Sequence, residues 1–317
     1  RLRRRLVDVD GHSSKLRNLK DLGADGVHSV YATVEVVEGN GRVAVGGSVI
    51  DNITGDPTAL DAIHPAQVAK KSASEQHFLV AAVAHTTGTH QSVWRSGLTI
   101  LNPTSVSQNV TLRYEVEVDR TGVIGEFLEE SVTISPGQQL DWKDVLVEFF
   151  GAPESAKTQG ALHVFSSDSL MVNSRTYNER SDGGTFGLGL PGLKSGDLIS
   201  SEGERGVIVG LTNSGGTRTN IGLAEYSGEE TEVDILFYTT EQENLFLNRN
   251  DPVEPVVPAN SHFQLLDIFQ QIESLREVQF EKVKAEVLVE NGGLIYSYAT
   301  TIDNVSGDPT AFTAVKH

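Results

Sequence analysis

A ten-residue stretch of this chain occurs twice: Asp51-Asn-Ile-Thr-Gly-Asp-Pro-Thr-Ala-Leu60 returns as Asp303-Asn-Val-Ser-Gly-Asp-Pro-Thr-Ala-Phe312. A fixed internal period constrains a fold more than any other pattern, because each repeat must be one structural unit. The copies lie 303 − 51 = 252 positions apart, and a diverged third copy, Ser174-Arg-Thr-Tyr-Asn-Glu-Arg-Ser-Asp-Gly-Gly-Thr-Phe186, falls between them. The unit is therefore about half that spacing, a single-domain length. Only some fifty residues precede Asp51, so the first unit is expected to begin in mid-module.

The second and third units align along most of their length. Trp94-Arg-Ser-Gly-Leu-Thr-Ile-Leu-Asn-Pro103 corresponds to Thr217-Arg-Thr-Asn-Ile-Gly-Leu-Ala-Glu225. Val110–Val118 and Glu232–Tyr238 then alternate apolar and polar residues, as strands with one buried face do. The turns Ser135-Pro-Gly-Gln138 and Val257-Pro-Ala-Asn260 follow. After them, Leu140–Phe150 and Phe263–Phe269 space their apolar residues as one or two helical turns would, and Leu16–Leu22 matches both. Each unit closes on two strands, expected at Val30–Val36 and Val43–Ile50 in the first copy and at Val283–Val289 and Leu294–Ile302 in the third. Many short strands, frequent Gly/Asn/Asp turns and one helical insert per unit predict an all-β chain of tandem antiparallel β-sandwich modules, immunoglobulin-like in architecture. The expected organisation is a C-terminal half-module over 1–66, a linker over 67–77, and complete modules over 78–200 and 201–317.

Three motifs carry a family resemblance: Trp94-Arg through Asn102-Pro103 opening a module, Ser174-Arg-Thr-Tyr-Asn178 closing one, and Tyr298-Ala-Thr through Asp308-Pro-Thr310. They resemble the tandem β-sandwich repeats of secreted, surface-associated bacterial proteins, most of them functionally uncharacterised. The resemblance spans nearly the whole chain, marks Trp94, Arg95, Asn102, Arg175, Arg218 and Asn220 as structural motif positions, and brings no catalytic residues. Here Gly97 and Asn220 stand where that pattern often has an acidic residue after the Arg. The resemblance implies an extracellular or cell-surface protein.

Composition narrows the function. With 38% hydrophobic residues and no apolar run near twenty residues, the 317-residue chain is expected to be soluble and not inserted in a membrane. Absence of cysteine removes disulfides, a thiolate nucleophile and cysteine metal sites. The basic start Arg1–Arg5 lacks the apolar core of a signal peptide. A net charge of −18 argues against nucleic acid as a partner. The first twenty residues hold seven Lys/Arg and two acids, 7 − 2 = +5, leaving 18 − 41 = −23 on the remainder. A basic tip and an acidic body complement each other between molecules, although charge on an edge strand also guards against aggregation.

No nucleophile elbow, His-Glu-x-x-His pair, phosphate loop or dinucleotide fingerprint is present, so no catalytic residue and no cofactor is assigned. His85 and His90 are spaced for neither one helix face nor one strand face, and read as surface loop residues. Asp51, Asp56, Asp303 and Asp308 offer oxygens of the kind calcium prefers, yet Asx–Gly–Pro chemistry accounts for them as structural turns. Trp94 and Trp142 read as core aromatics, and Arg95, Arg175 and Arg218 as strand-end residues whose guanidinium groups bond backbone carbonyls. The expected function is a non-catalytic structural protein. It would self-associate head to tail into a filament or surface layer, the half-module being completed by a neighbour or by a segment preceding it. The alternative is an adhesin or carbohydrate-binding appendage of a larger secreted protein, with a glycan or host surface as partner.

Overall fold

The computed structural model describes residues 5–23, 30–62, 76–88, 92–117, 127–239, 245–246, 253–276 and 278–317. Strands begin with a hairpin, β1 (Gly46–Ile50) and β2 (Pro57–Asp61). A first group follows: β3 (Gln76–Thr87), β4 (Val93–Leu101), β5 (Gln108–Val116), β6 (Phe127–Ile134), β7 (Gln139–Trp142), helix α1 (Val145–Glu148), β8 (Thr158–Ser166), β9 (Met171–Glu179) and β10 (Thr185–Pro191). A second group comprises β11 (Ile199–Ser200), β12 (Arg205–Asn213), β13 (Thr217–Glu225), β14 (Thr231–Thr239), β15 (Leu245–Phe246), β16 (Val256–Val257), β17 (His262–Leu265), helix α2 (Ile268–Gln271), β18 (Phe280–Val289), β19 (Leu294–Asp303), β20 (Pro309–Thr313) and β21 (Val315–Lys316). Every pairing among them is antiparallel, and no helix among the described residues is long and apolar enough to cross a membrane.

Each group closes into a sandwich. In the first, β3-β8-β5-β6 face β10-β9-β4-β7, and β3 joins the layers: Gln76–His85 pair with β8, while Thr86 and Thr87 pair with β4. Alternate residues of β4, β5, β8 and β9 fill the space between, with Leu98, Ile100, Val110, Leu112, Leu162, Val164 and Val172 buried beside Val145 and Leu146 of α1. Each such side chain contributes roughly 1.5–3 kcal/mol when taken out of water. In the second, β15-β14-β18-β12-β21 face β11-β19-β13-β17, with β20 on β19 and a core that includes Ile221, Leu223, Ile235, Phe237, Val287 and Phe269 of α2. The fold is all-β, built of tandem antiparallel sandwiches, each with one short helix.

Three expectations are corrected. The runs Leu140–Phe150 and Phe263–Phe269 are strand first and helix second: Gln139–Trp142 pair with β4 and His262–Leu265 with β13, and only Val145–Glu148 and Ile268–Gln271 are helical. Backbone groups of β4 and β13 needed partners there, which outweighs a helical spacing of apolar residues. Val30–Val36 forms no strand: it pairs with no other strand among the described residues, and an unpaired extended segment has no ladder to hold it. Apart from turns such as Asn18–Gly23, the β1–β2 hairpin is the main regular structure among the described residues before β3. The expected linker 67–77 lies mostly outside the described residues, and its last two positions, Gln76 and His77, already belong to β3.

Candidate functional site

The repeated turn forms the same loop in both copies. Asp51 Oδ1 accepts the amides of Ile53 (2.8 Å) and Thr54 (2.9 Å), and Gly55 closes the turn at φ 78° with its amide on the Asp51 carbonyl. Asp303 does the same with Val305 and Ser306, and Gly307 sits at φ 76°. A left-handed residue is needed at that point, and glycine adopts it without strain. The amide of Thr54 is the largest influence holding the Asp51 carboxyl well below its ordinary range, and the amide of Ser306 is the largest one lowering Asp303.

The first copy is also a joint. Its tip sits on the β9–β10 hairpin: Asp51 Oδ2 accepts the Thr185 hydroxyl (2.9 Å) and amide (3.2 Å), and Thr54 Oγ1 donates to the Thr185 carbonyl (2.8 Å). Asp56 Oδ2 accepts the Gly187 amide (2.8 Å) and lies 3.5 Å from Arg175 Nη2, while Arg175 Nε donates to Thr58 Oγ1 at 2.7 Å. Asp56 and Thr58 are consequently buried. Glycines at 187 and 189 permit this approach. A Cβ on Gly189 would stand 2.9 Å from the Ala59 carbonyl oxygen, and one on Gly187 would stand 2.8 Å from Arg175 Cζ. The alternate residues of β10, Leu188 and Leu190, point the other way and pack with Leu79, Leu198, Tyr296 and Tyr298 in a core shared by both sandwiches. Thus β10 lies between hairpin β1–β2 on one face and the next sandwich on the other. Arg175 is not the carbonyl-bonding strand end expected; its partners are Thr58, Asp56 and Thr185.

The same seam holds a ring stack. His77 lies face to face with Tyr226 at 3.9 Å and Phe165 at 4.4 Å, and its Nε2 is 2.8 Å from His163 Nδ1. His163 Nε2 is 3.2 Å from the Asn260 carbonyl of the other sandwich, a distance that makes the ring the donor. Burial is the main cause lowering His163 from the ordinary 6.5 to about 4, and burial followed by the neighbouring His163 lowers His77 to about 3. Both rings are neutral at pH 7.

Within the modules, the motif residues are tied by partners that sequence alone left hidden. Arg95 Nη1 donates to the Trp94 carbonyl (2.9 Å) as expected, but its Nε also meets Asp144 Oδ2 at 3.4 Å. Asp144 is the N-cap of α1, and it holds His85 Nδ1 at 2.6 Å. In the other module Asp267, N-cap of α2, feels Arg218, whose Nη1 donates to Asn304 Oδ1 at 2.6 Å. The carboxylate for Arg95 therefore comes from a helix cap, not from the strand, whereas the partner of Arg218 is the Asn304 side chain. The position where the pattern has an acid adjoins that cap: a Cβ on Gly97 would meet the Trp142 carbonyl oxygen at 2.9 Å, and Asn220 Oδ1 accepts the Asp267 amide at 2.9 Å. Asn102 is fully buried and bonds the carbonyls of Val106, Ile134 and Ser135. Glu225 fills the equivalent place, buried, accepting the amides of Ser227, Gly228, Glu229 and Asn260. Both tryptophans are half-buried: Trp142 packs against the core beside Phe149, whereas Trp94, its Nε1 on Ser92 Oγ, does not pack on that core and is not the core aromatic expected.

His85 likewise departs from a surface loop. It lies in β3, 1% exposed, with Nε2 3.1 Å from the Glu154 carbonyl; His90 falls outside the described residues. A His–Asp pair is half of a nucleophilic triad. Here both ring nitrogens are occupied and the ring is sealed, so the pair acts as a brace. Among the described residues no three His, Cys, Asp or Glu side chains are grouped to hold a metal ion. The oxygens of Asp51 and Asp56 are instead engaged by amides, hydroxyls and Arg175. The helix-cap acids could have been found in the sequence, since Asp144 and Asp267 fall at equivalent places within the aligned apolar runs; the cross-module partners Thr185 and His163 left no such signal.

No family model matches the chain, and no curated protein does. Among solved structures, "Crystal Structure of Thermotoga maritima 1070" is similar over 38% of this chain and 93% of its own, at 13% identity and a TM-score of 0.29, a likeness too slight to carry an argument.

Proposed function

We propose that this chain is a non-catalytic structural protein of the cell surface or extracellular space, whose tandem sandwiches assemble head to tail. The observation that supports the reading is the exposed apolar surface along residues 30–50. Val34, Val49 and Ile50 are each more than half exposed, Val30, Tyr31, Val36, Val43 and Val45 are exposed with them, and β1–β2 is a two-stranded sheet with open edges. Apolar alternation of that kind belongs against a second layer, and open edges recruit strands. The β1–β2 hairpin has found one neighbour in the β9–β10 hairpin, and another copy of the chain supplies the same kind of surface. The seam fits a mechanical role as well, since a shared apolar core and stacked rings couple adjacent sandwiches rather than leaving them on a free tether.

Electron microscopy of the purified full chain over a range of concentrations tests this. Regular filaments or sheets are expected. Single particles of monomer size at every concentration would refute it.

A further inference from the structure

We propose that the contact between the two sandwiches is a latch released by acid: His163 holds the seam shut while its ring is neutral, and a proton on that ring lets the sandwiches swing apart. The inference concerns a single chain and does not depend on association between copies.

The hydrogen bonds at the seam fix where each ring keeps its hydrogen. His163 Nε2 carries one, because it faces the Asn260 carbonyl oxygen at 3.2 Å; its Nδ1 is therefore the acceptor, and His77 Nε2, 2.8 Å away, is the donor. A chain of donors thus runs from His77 of the first sandwich through His163 to the second. The second sandwich sets the far end, since Asn260 is held at φ 56° with its amide on the buried Glu225 carboxylate. Protonating His163 puts a hydrogen on Nδ1, where the His77 N–H already points, and two donors cannot share a 2.8 Å contact. His77 takes a second proton on its own Nδ1, away from that contact, and the chain survives. The ring whose charge breaks the seam is His163.

The groups around His163 do not offset that clash. His77 faces it from β3, Arg113 from β5 and Glu225 from β13, with Tyr226 stacked on His77 just beyond. Further along the seam, Glu117 past the end of β5 lies 3.9 Å from His262 of β17, whose Nε2 meets the Tyr298 hydroxyl of β19 at 2.9 Å. Arg113 opposes an imidazolium. Glu225 favours one, but its oxygens already accept the amides of Ser227, Gly228, Glu229 and Asn260. His163 is 2% exposed, so water does not reach the charge either until the seam opens. A hinge is present as well. The chain crosses between the sandwiches through Gly192–Leu198, which includes Gly192 and Gly196, and a Cβ on Gly196 would meet nothing within 4 Å.

A distance between the sandwiches provides the test. The chain has no cysteine, so Glu130→Cys and Glu232→Cys, exposed on β6 and β14, take one spin label on each sandwich of the full chain. Dilution into unlabelled chain restricts the reading to distances within one molecule, and circular dichroism reports whether the strands stay folded. A value of about 4 with the seam shut and 6.5 with it open raises the ratio of open to shut by about a hundredfold between pH 7 and pH 4. One distance is expected at pH 7 and a second, different one at pH 4, with the β signal intact and the change reversed on neutralising. In the same labelled chain His163→Gln, whose amide donates to Asn260 but does not titrate, is expected to keep one distance at both. A single distance at pH 4 in the unaltered ring, or the same opening in His163→Gln, would overturn the inference. So would loss of the β signal at pH 4 in place of a second distance. Should His163→Gln fail to fold, His163→Phe keeps the ring's volume and gives the same comparison.

Discussion

Lowering the pH from 7 to 4 will weaken the seam through His163. The group is a base whose folded value, about 4, lies below the 6.5 it has when water reaches it. It therefore binds its proton more readily when the seam is open. Its stabilising share is complete above pH 6.5 and is lost as pH falls through the window from 6.5 to 4. A difference of 2.5 between those values corresponds to about 3 kcal/mol by pH 4, at roughly 1.4 kcal/mol per unit. The Asn260 carbonyl and Glu225 favour the imidazolium and Arg113 opposes it, but burial is the largest influence. His77, stacked on the same ring, shifts in the same direction, though it is too open to solvent to add a figure. Trp94 and Trp142, the two tryptophans of the chain, both lie in the first sandwich, so urea unfolding followed by their emission reads that module alone. Carboxylates also lose stability in acid, so the informative quantity is the unaltered chain minus His163→Gln. The difference in unfolding free energy should change by about 3 kcal/mol between pH 7 and 4. Identical pH slopes for the two proteins would refute the assignment of the seam to that ring.

Other consequences follow from individual contacts. Asn102→Ala removes the buried amide that donates to the carbonyls of Val106 and Ile134 and is expected to cost about 2–4 kcal/mol, read as an earlier tryptophan transition in urea. Asp144→Ala removes the α1 cap and strands both His85 and Arg95, for a loss of about 3–5 kcal/mol in the same assay. Gly189→Val places a Cβ 2.9 Å from the Ala59 carbonyl oxygen; faster amide exchange over β1 and β2, with the sandwich melting as before, is the expected result. Millimolar calcium is expected to leave the melting temperature unchanged, since Asp51 and Asp56 already spend their oxygens on amides, hydroxyls and Arg175. A rise of several degrees on adding calcium would contradict that.

What the sequence disclosed was what lies within one module. Period-two alternation located β5 and β14 within about two residues, and the duplicated turn revealed a hairpin whose loop is closed by its own Asp and Gly. Helical spacing misled at Leu140–Trp142 because a four-residue strand leading into one helical turn has too few positions to show its own period. What remained hidden was whatever crosses between modules. Thr185, Arg175 and Gly187 are unremarkable in their own strands, and their role arises only once β2 is brought across β10. His163 gives no local sign that its ring ends against Asn260 of another sandwich. Trp94 was misplaced for a related reason: it is phased as a core residue, yet it sits at the end of β4, beyond the last layer of Leu98 and Ile100.

The account stands most directly on association between copies of the chain. Sedimentation velocity of the unaltered chain over a wide concentration range reads it. The account predicts a ladder of multiples of the monomer that lengthens with concentration. A single monomer boundary at every concentration would contradict it.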